Sequence, residues 1–541
     1  MATGNLAIRF GVLRNRPIFR GSQRYRRLHT KPEHRVQAYG ISSTPIADSD
    51  MAEPAPALQN LPTRPSSESS ASVSATSHLS FPALLRTYLI TAGTSSPFLI
   101  RPSIWALSRV AHSKSFWLSP DRNPILHWLL KHTVYRQFCA GENAAEVQAT
   151  IHHLRSTGIK GIILCYAREV ELRDDPQDVT SKDAATEAET DINSWAEGIM
   201  ETLRIVPENN FVSIKFSGAG ALTLRCLQNS LPPPPLLAQY LQRICTLAHS
   251  KRIKICVDAE QSTFQPGIDA WTLDLQRKFN TTRTDSLPDS KPWACVYNTY
   301  QGYLRSAPAE LTKHLQIASQ ESFALGVKLV RGAYLSSEPR SLFWNSKEET
   351  DACYDGLAKG LISRSWQPIT NMAKANSGIN SNSKTEAYNT LFQHNTKQHT
   401  FPTIGLVLAT HNLQSCRTAL SLRQDQASCG EQRVDMVYAQ LQGMADHVTG
   451  ELINAAIQAE RQILEQKSVQ TASPAIPQSS STSNIEIPLV CKYLTWGSVG
   501  ECSKYLVRRA EENLDAVART VEARRALGKE VWRRIFGYGS T

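Results

Sequence analysis

Long apolar runs, paired cysteine motifs and glycine fingerprints are all missing from this chain of 541 residues. No stretch of 18 apolar residues occurs, so hydropathy offers no membrane-spanning helix. The nearest approach, residues 81–92, is short and interrupted by Arg86. Eleven cysteines are scattered without a Cys-x-x-Cys pair or any metal-ligand spacing. That argues against a disulfide framework or a zinc module, and fits a reducing compartment in which thiols act as small core residues. No Gly-x-Gly-x-x-Gly follows an expected strand, so the Rossmann route to a dinucleotide is closed. Gly218-Ala-Gly220 is a lone Gly-x-Gly and reads as a turn.

Acidic residues are absent from one end. Residues 1–32 hold seven Arg, one Lys and no Asp or Glu, which leaves only +3 of the formal +11 to residues 33–541. An Arg-rich, acid-free, weakly amphipathic start is the pattern of a mitochondrial presequence and stands outside fold reasoning. The same asymmetry removes most support for a nucleic-acid-binding protein, which rests on charge alone.

What is present is ample for a core: 41% hydrophobic and 20% charged residues suit one large or two medium domains. Residues 33–80, rich in Ser, Pro, Ala and Thr from 41 onward, read as a disordered linker. Residues 81–157 read as a helical N-terminal region, 158–525 as the main domain and 526–541 as a tail. Polar segments at 171–194, 279–290, 360–400 and 467–485 read as disordered insertions.

Between them lie short β-branched or apolar runs, each followed by helical sequence. They are Gly161–Tyr166, Phe211–Ser217, Ile253–Glu260, Trp293–Gln301, Val327–Tyr334, Gly405–Asn412, Val434–Gln442 and Ile487–Trp496. Strands alternating with helices predict parallel βα units, and eight of them predict a closed (β/α)8 barrel of the TIM type. An open doubly wound sheet is the alternative. Barrel chemistry sits at the C-terminal strand ends. Those ends carry Arg168 and Glu169, Lys215, Asp258 and Glu260, Gln301, then Lys328, Arg331 and Tyr334. They continue with Thr410-His411-Asn412, Leu441-Gln442-Gly443-Met444 and Lys492-Tyr493. In Lys328-Leu-Val-Arg-Gly-Ala-Tyr334 two cations flank a strand end, and Gly332-Ala333 is expected to admit a flat ligand close to the backbone.

Near the C-terminus, Tyr505-Leu-Val-Arg508-Arg509-Ala-Glu-Glu512-Asn513 puts Tyr505, Arg508, Arg509 and Glu512 on one helical face. Adjacent guanidiniums offer forked donors suited to a carboxylate or phosphate. The opposite face is apolar and is expected to pack on the barrel's own helices. The bland reading is a solvated charged face.

Taken in order, the motifs resemble the proline dehydrogenase family of mitochondrial flavoenzymes. They are Ile-Lys215, Asp258-Ala-Glu260, Tyr300-Gln-x-Tyr-Leu304, Lys328-Leu-Val-Arg-Gly-Ala-Tyr-Leu335, Ala409-Thr-His-Asn412, Gln440-Leu-x-Gly-Met-x-Asp446 and Tyr505-Leu-x-Arg-Arg-x-x-Glu-Asn513. The resemblance spans about 160–525. It implies oxidation of L-proline to 1-pyrroline-5-carboxylate by hydride transfer to FAD, with electrons passed to a membrane quinone by a protein peripheral to the inner membrane. It also implies that Lys215, Arg508 and Arg509 clamp the proline carboxylate, with Glu512 by the ring nitrogen or holding an arginine. Tyr334, Leu441, Tyr493 and Tyr505 would wall the ring, and Asp258 and Lys328 would be the catalytic pair. Ala259, Gln301, Arg331, Gly332, Ala333, Thr410 and His411 fall on FAD-contacting positions, and no metal is implied. The family's Pro-aromatic-Gly turn reads Thr495-Trp496-Gly497 here, and Trp496 is expected to narrow the mouth of the site. A hydroxyproline dehydrogenase is the nearest alternative, with Tyr505 as a deciding wall residue. A folate-reducing flavin barrel leaves the arginine pair unexplained. A metal-dependent hydrolase using Asp258, Glu260 and His411 wants more histidines at strand ends.

Overall fold

The computed structural model describes residues 79–94, 97–113, 115–168, 182–282, 292–335, 337–377, 400–472, 484–515 and 517–537. The described residues all fall within one compact unit, to which the barrel belongs. The expected presequence and nearly all of the expected linker lie outside the described residues.

Eight parallel strands close into a barrel in simple chain order. They are β1 (Gly161–Tyr166), β2 (Phe211–Ile214), β3 (Lys254–Val257), β4 (Val296–Gln301), β5 (Leu325–Val330), β6 (Ile404–Ala409), β7 (Asp435–Leu441) and β8 (Val490–Trp496). Closure is made by β1 against β8, from Gly161 opposite Cys491 to Tyr166 opposite Trp496. The open-sheet alternative is thereby excluded. Alternation along the strands divides two cores. Ile163, Phe211, Cys256, Tyr297, Val407 and Tyr493 fill the interior, whereas Ile162, Val212, Ile255, Val327 and Leu406 join the layer beneath the helices.

Before the barrel come α1 (Phe81–Thr94), α2 (Pro97–His112), α3 (Pro124–Leu130), the short α4 (Arg136–Phe138) and α5 (Ala144–Ser156). The barrel helices are α6 (Lys182–Ile205), α7 (Ala221–Gln228), α8 (Pro235–Ser250), α9 (Gln265–Phe279), α10 (Ala307–Glu321) and α11 (Lys347–Ile362). They continue with α12 (Trp366–Ser377), α13 (Leu413–Ser428), α14 (Asp446–Ala472), α15 (Val499–Asp515) and α16 (Val517–Phe536).

All four segments expected to be disordered include some helix: Phe279 ends α9, residues 467–472 end α14, and the other two contribute more. Residues 182–194 open α6, whose buried Ile192, Trp195, Ala196, Ile199 and Leu203 recur at helical spacing. The polar residues between them are its solvent face, which composition alone presents as loop. Residues 360–377 complete α11 and form α12, held by buried Ile369 and by Trp366 packed on Phe401. The stretches 171–181, 283–290, 378–399 and 473–483 of these segments lie outside the described residues.

The barrel interior is filled to the point of needing glycine. At Gly405 a Cβ would stand 2.2 Å from the Tyr297 hydroxyl. Below that ring, Lys254 of β3 reaches Asp435 of β7 at 2.5 Å and lies 5.1 Å from the Phe211 ring, so an ion pair floors the barrel. Gly405→Val should overpack this layer and cost about 1–3 kcal/mol. A denaturant titration would register that loss, and an unchanged midpoint would mean that Tyr297 moves aside freely.

Candidate active site

The period of two that packs the interior also delivers charge to it. Above the apolar layer, β2 presents Ser213, β5 presents Lys328 and β8 presents Tyr493, with Asp258 standing just past the end of β3. Lys328 Nζ lies 2.5 Å from Asp258 Oδ1, and both side chains are nearly sealed from solvent. Ser213 donates its hydroxyl to the same oxygen at 2.5 Å, and Tyr493 donates to Oδ2 at 2.6 Å. The lysine ammonium also sits 4.8 Å from the centre of the Tyr493 ring, near enough for a cation–π contact.

Burial alone would raise the Asp258 pKa. The charges of Lys328 and Lys215, with hydrogen bonds from Lys328 and Ser213, outweigh it and hold the carboxyl below its usual range. Tyr493 moves the other way: burial first, and the Asp258 carboxylate next, push its phenol well up. Asp258 is therefore a fixed carboxylate with both oxygens engaged, and Tyr493 a fixed donor.

A second cluster is centred on Arg331, just past β5. Its guanidinium donates from Nε to Asp351 at 2.9 Å, from Nη1 to the Thr410 hydroxyl and from Nη2 to the Ser415 hydroxyl at 2.9 Å. It lies over the Tyr354 ring, 4.2 Å from the ring centre. Thr410 is thus tied to Arg331, while the next residue, His411, accepts the Leu441 amide at Nε2, 3.2 Å away. In the neutral imidazole that hydrogen bond assigns the proton to Nδ1. Gln301 is buried and donates to the Glu260 carbonyl at 3.3 Å, beside buried Ala259.

One sequence expectation gains a structural detail here and another fails. The space a side chain would fill at Gly332 (φ 147°) is already taken by the Tyr303 ring, at 2.2 Å from an ideal Cβ. Glycine at 332 thus admits Tyr303, stacked on Phe343 at 4.5 Å, on the side a Cβ would occupy. Trp496 does not narrow the mouth. Its side chain faces outward, where Nε1 donates to Thr202 at 2.9 Å and the ring packs on Tyr166. Alternation decides this, because Tyr493 points in and a residue three further on points out.

The arginine helix lies in α15. Tyr505 and Arg509 are buried, with the guanidinium 4.9 Å from the Tyr505 ring, and Arg508 is half-buried. The apolar residues around Tyr505 include Leu107 of α2, Phe138 of α4, Ala167 just past β1 and Met444 just past β7. The helix therefore lies on the C-terminal rim. Its apolar contacts are with the N-terminal helices, where the barrel's own helices were expected. Tyr135 donates to the Gly497 carbonyl at 2.7 Å, and Gln137 joins Thr87 at 3.0 Å to Gly443 at 3.3 Å, so the N-terminal helices clamp this corner. Tyr334 is half-buried and Ala333 exposed in the loop after β5. The side chain of Glu512, and all of Glu169, lie outside the described residues.

Sequence reasoning missed Ser213, Asp351 and Ser415. Ser213 was findable, standing two residues before Lys215 on the inward face of its strand. Asp351 and Ser415 lie on helices and carried no such signal.

A family model described as proline dehydrogenase matches residues 147–522. The chain belongs to the proline dehydrogenase family. Membership makes it an oxidoreductase of proline oxidation and catabolism. It is 28% identical over 502 residues to a probable mitochondrial proline dehydrogenase of Schizosaccharomyces pombe, covering 85% of this chain and 89% of that one. With the mitochondrial proline dehydrogenase 1 of Arabidopsis thaliana it shares 25% over 495 residues, covering 84% and 83%. A hydroxyproline dehydrogenase of Bos taurus is 25% identical over 455 residues, covering 76% and 83%. Among solved structures, proline utilization A from Bdellovibrio bacteriovorus, inactivated by N-propargylglycine, superposes with a TM-score of 0.51 at 14% identity. That match covers 82% of this chain and 40% of the other, and carries the fold alone.

Removing the Asp258 charge tests the first cluster. Asp258→Asn leaves Lys328 buried without its counter-ion, at a cost of about 3–5 kcal/mol near neutral pH. Because the native carboxyl is held below the unfolded value of about 4, its contribution is complete above that pH and is lost as pH falls through the lowered native value. Melting curves of the two proteins should converge below about pH 4. A gap that stays constant into acid would contradict the ion-pair account.

Proposed function

We propose that the chain oxidises L-proline to 1-pyrroline-5-carboxylate with FAD as hydride acceptor, and passes the electrons to a membrane quinone while peripheral to the matrix side of the mitochondrial inner membrane. The observation that carries the proposal is the sealed Asp258–Lys328–Tyr493 group in the barrel mouth, with Lys215 acting on it and Arg508 and Arg509 on the rim above.

The residues suit the cofactor. Lys328, Gln301 and Thr410 are buried donors around the mouth, and Arg331 uses three of its five N–H groups internally. The buried Gln442 Oε1 and Thr495 Oγ1 at the same rim have no partner among the described residues. Polar atoms left so are costly unless a ligand meets them. Ala259, Gln301, Arg331, Gly332, Ala333, Thr410 and His411 would hold FAD, which supplies a two-electron acceptor when bound.

The chain's own side chains do the rest. Lys215, Arg508 and Arg509 take the carboxylate, which orients the ring carbon beside nitrogen. Tyr334, Leu441, Tyr493 and Tyr505 wall the ring and exclude water, and Glu512 stands for the amine or for an arginine. Asp258, kept ionised, does not exchange a proton. It positions Lys328 and Tyr493, and the positive charge of Lys328 favours the electron-rich state of a reduced acceptor. The substrate amine has to lose its proton before hydride leaves, so turnover should rise with pH through an amine ionisation. The bovine hydroxyproline dehydrogenase relative supports one further reading, that of hydroxyproline as substrate.

Arg508→Met should raise the KM for proline at least about tenfold, since a hydrogen bond to a charged group contributes roughly 1.5–3 kcal/mol. Steady-state assays in which KM stays put would remove Arg508 from the clamp. The purified protein should be yellow and should bleach when proline is added without oxygen. A colourless, zinc-containing protein would refute the proposal outright.

A further inference from the structure

Aromatic side chains normally sit inside, yet one region of this protein displays them. Trp105 of α2, Trp117 and Ile125 around the start of α3, Trp128 of α3 and Trp532 of α16 are each between 61 and 79% exposed. Phe536 packs on Trp532 at 4.3 Å and is exposed as well. These residues belong to one group of packed elements: α1 lies against both α2 and α16, and α2 against α15. The turn before α3 is fastened to the same group, because Asp121 accepts the Gly500 amide at 2.9 Å at the start of α15.

The charge on this region has one sign. Residues 79–138 contain seven Lys or Arg and a single acid, Asp121, which is turned onto α15. Arg101, Arg109, Arg122 and Arg136 are exposed among the aromatics, and Arg109 lies 5.5 Å from the Trp105 ring. In α16 there are six Lys or Arg against two acids, one of which, Glu530, is buried beneath Arg533 and Arg534. Beyond residue 32, the rest of the chain is net acidic, so the basic charge is concentrated where the aromatics are.

We propose that the exposed face of α1–α3 and α16 docks on an anionic lipid bilayer. Tryptophan favours the interfacial zone, where an apolar ring and a polar N–H are both accommodated. Arginine adds attraction to anionic headgroups while its stem stays apolar. No described helix is long and apolar enough to cross a membrane, so the contact is interfacial in the manner of an amphipathic surface. A protein partner on this face would have to be acidic to meet its arginines. The proposal rests on the peripheral attachment proposed above and gives it a surface. Because α2 and α15 pack together, lipid contact would be made next to the arginine helix at the barrel mouth.

The test is co-flotation of the full chain with vesicles of phosphatidylcholine alone or of equimolar phosphatidylcholine and phosphatidylglycerol. Trp117→Gln, Trp128→Gln and Trp532→Gln combined should weaken binding to the anionic vesicles at least about tenfold. Proline oxidation with a soluble dye acceptor should be unchanged, which checks that the variant is folded. Arg101→Gln, Arg109→Gln and Arg122→Gln combined should abolish the preference for anionic over neutral vesicles. Undiminished binding of the tryptophan variant, or a retained preference in the arginine variant, overturns this surface while leaving peripheral attachment intact. A wild-type chain that floats with neither vesicle overturns the attachment itself. Loss of self-association in the tryptophan variant with lipid binding intact would instead make the face an interface between copies and overturn the proposal.

Discussion

Lys328 and Asp258 are tolerable in the interior of the barrel only because each neutralises the other. An isolated charge at that depth would cost several kcal/mol, and the pair is further satisfied by Ser213 and Tyr493. Four strands, β2, β3, β5 and β8, therefore meet at one carboxylate. The arrangement fixes which way each of those strands faces, since a one-residue slip would put the charged groups against the helices and the aliphatic ones at the mouth. It also leaves the Asp258 carboxylate already engaged, with Lys328 and Lys215 acting on it, a setting for an anionic substrate and for a ring that gains electrons.

The same inward alternation works at the opposite end, where Lys254 and Asp435 close the floor above which Tyr297 lies. Between floor and mouth, the glycine at 405 gives way to the Tyr297 ring. The interior is thus a sequence of layers: an ion pair, packed aromatics and aliphatics, then a second ion pair. Only the upper one is open to chemistry. Around this column the N-terminal helices are structural partners of the rim. Tyr135, Gln137 and Phe138 bind α15 and the loop after β7 into one corner, so the arginine helix is positioned from outside the barrel as much as by it.

Much of the fold was legible because strand position in a parallel barrel is written as short apolar runs, and β1 falls where the run Gly161–Tyr166 lies. Alternation also made Lys215, Asp258 and Lys328 visible as strand-end groups. The errors share a cause. Polar composition at 182–194 and 360–377 was read as loop, but half of each helix faces solvent and its buried face is sparse. Trp496 was read as a wall of the site, and the ring that fills the side-chain face of Gly332 was not foreseen. What occupies the position beside a glycine, or which side of a strand a tryptophan takes, depends on neighbours distant in the chain.

The sequence by itself determined the number and order of the βα units, the family, and the residue types at each strand end. Those follow from local periodicity and from motifs whose spacing is covalent. Only the tertiary structure decided that Asp258 is held as a carboxylate by Lys328, Ser213 and Tyr493, that Arg331 is anchored by Asp351 and Ser415, and that the arginine helix is pressed between the N-terminal helices and the rim. Those contacts join residues tens to hundreds of positions apart. Their energies depend on burial, which no local pattern records, and a charge becomes a fixed part of a site only once closure of the barrel has taken the water away.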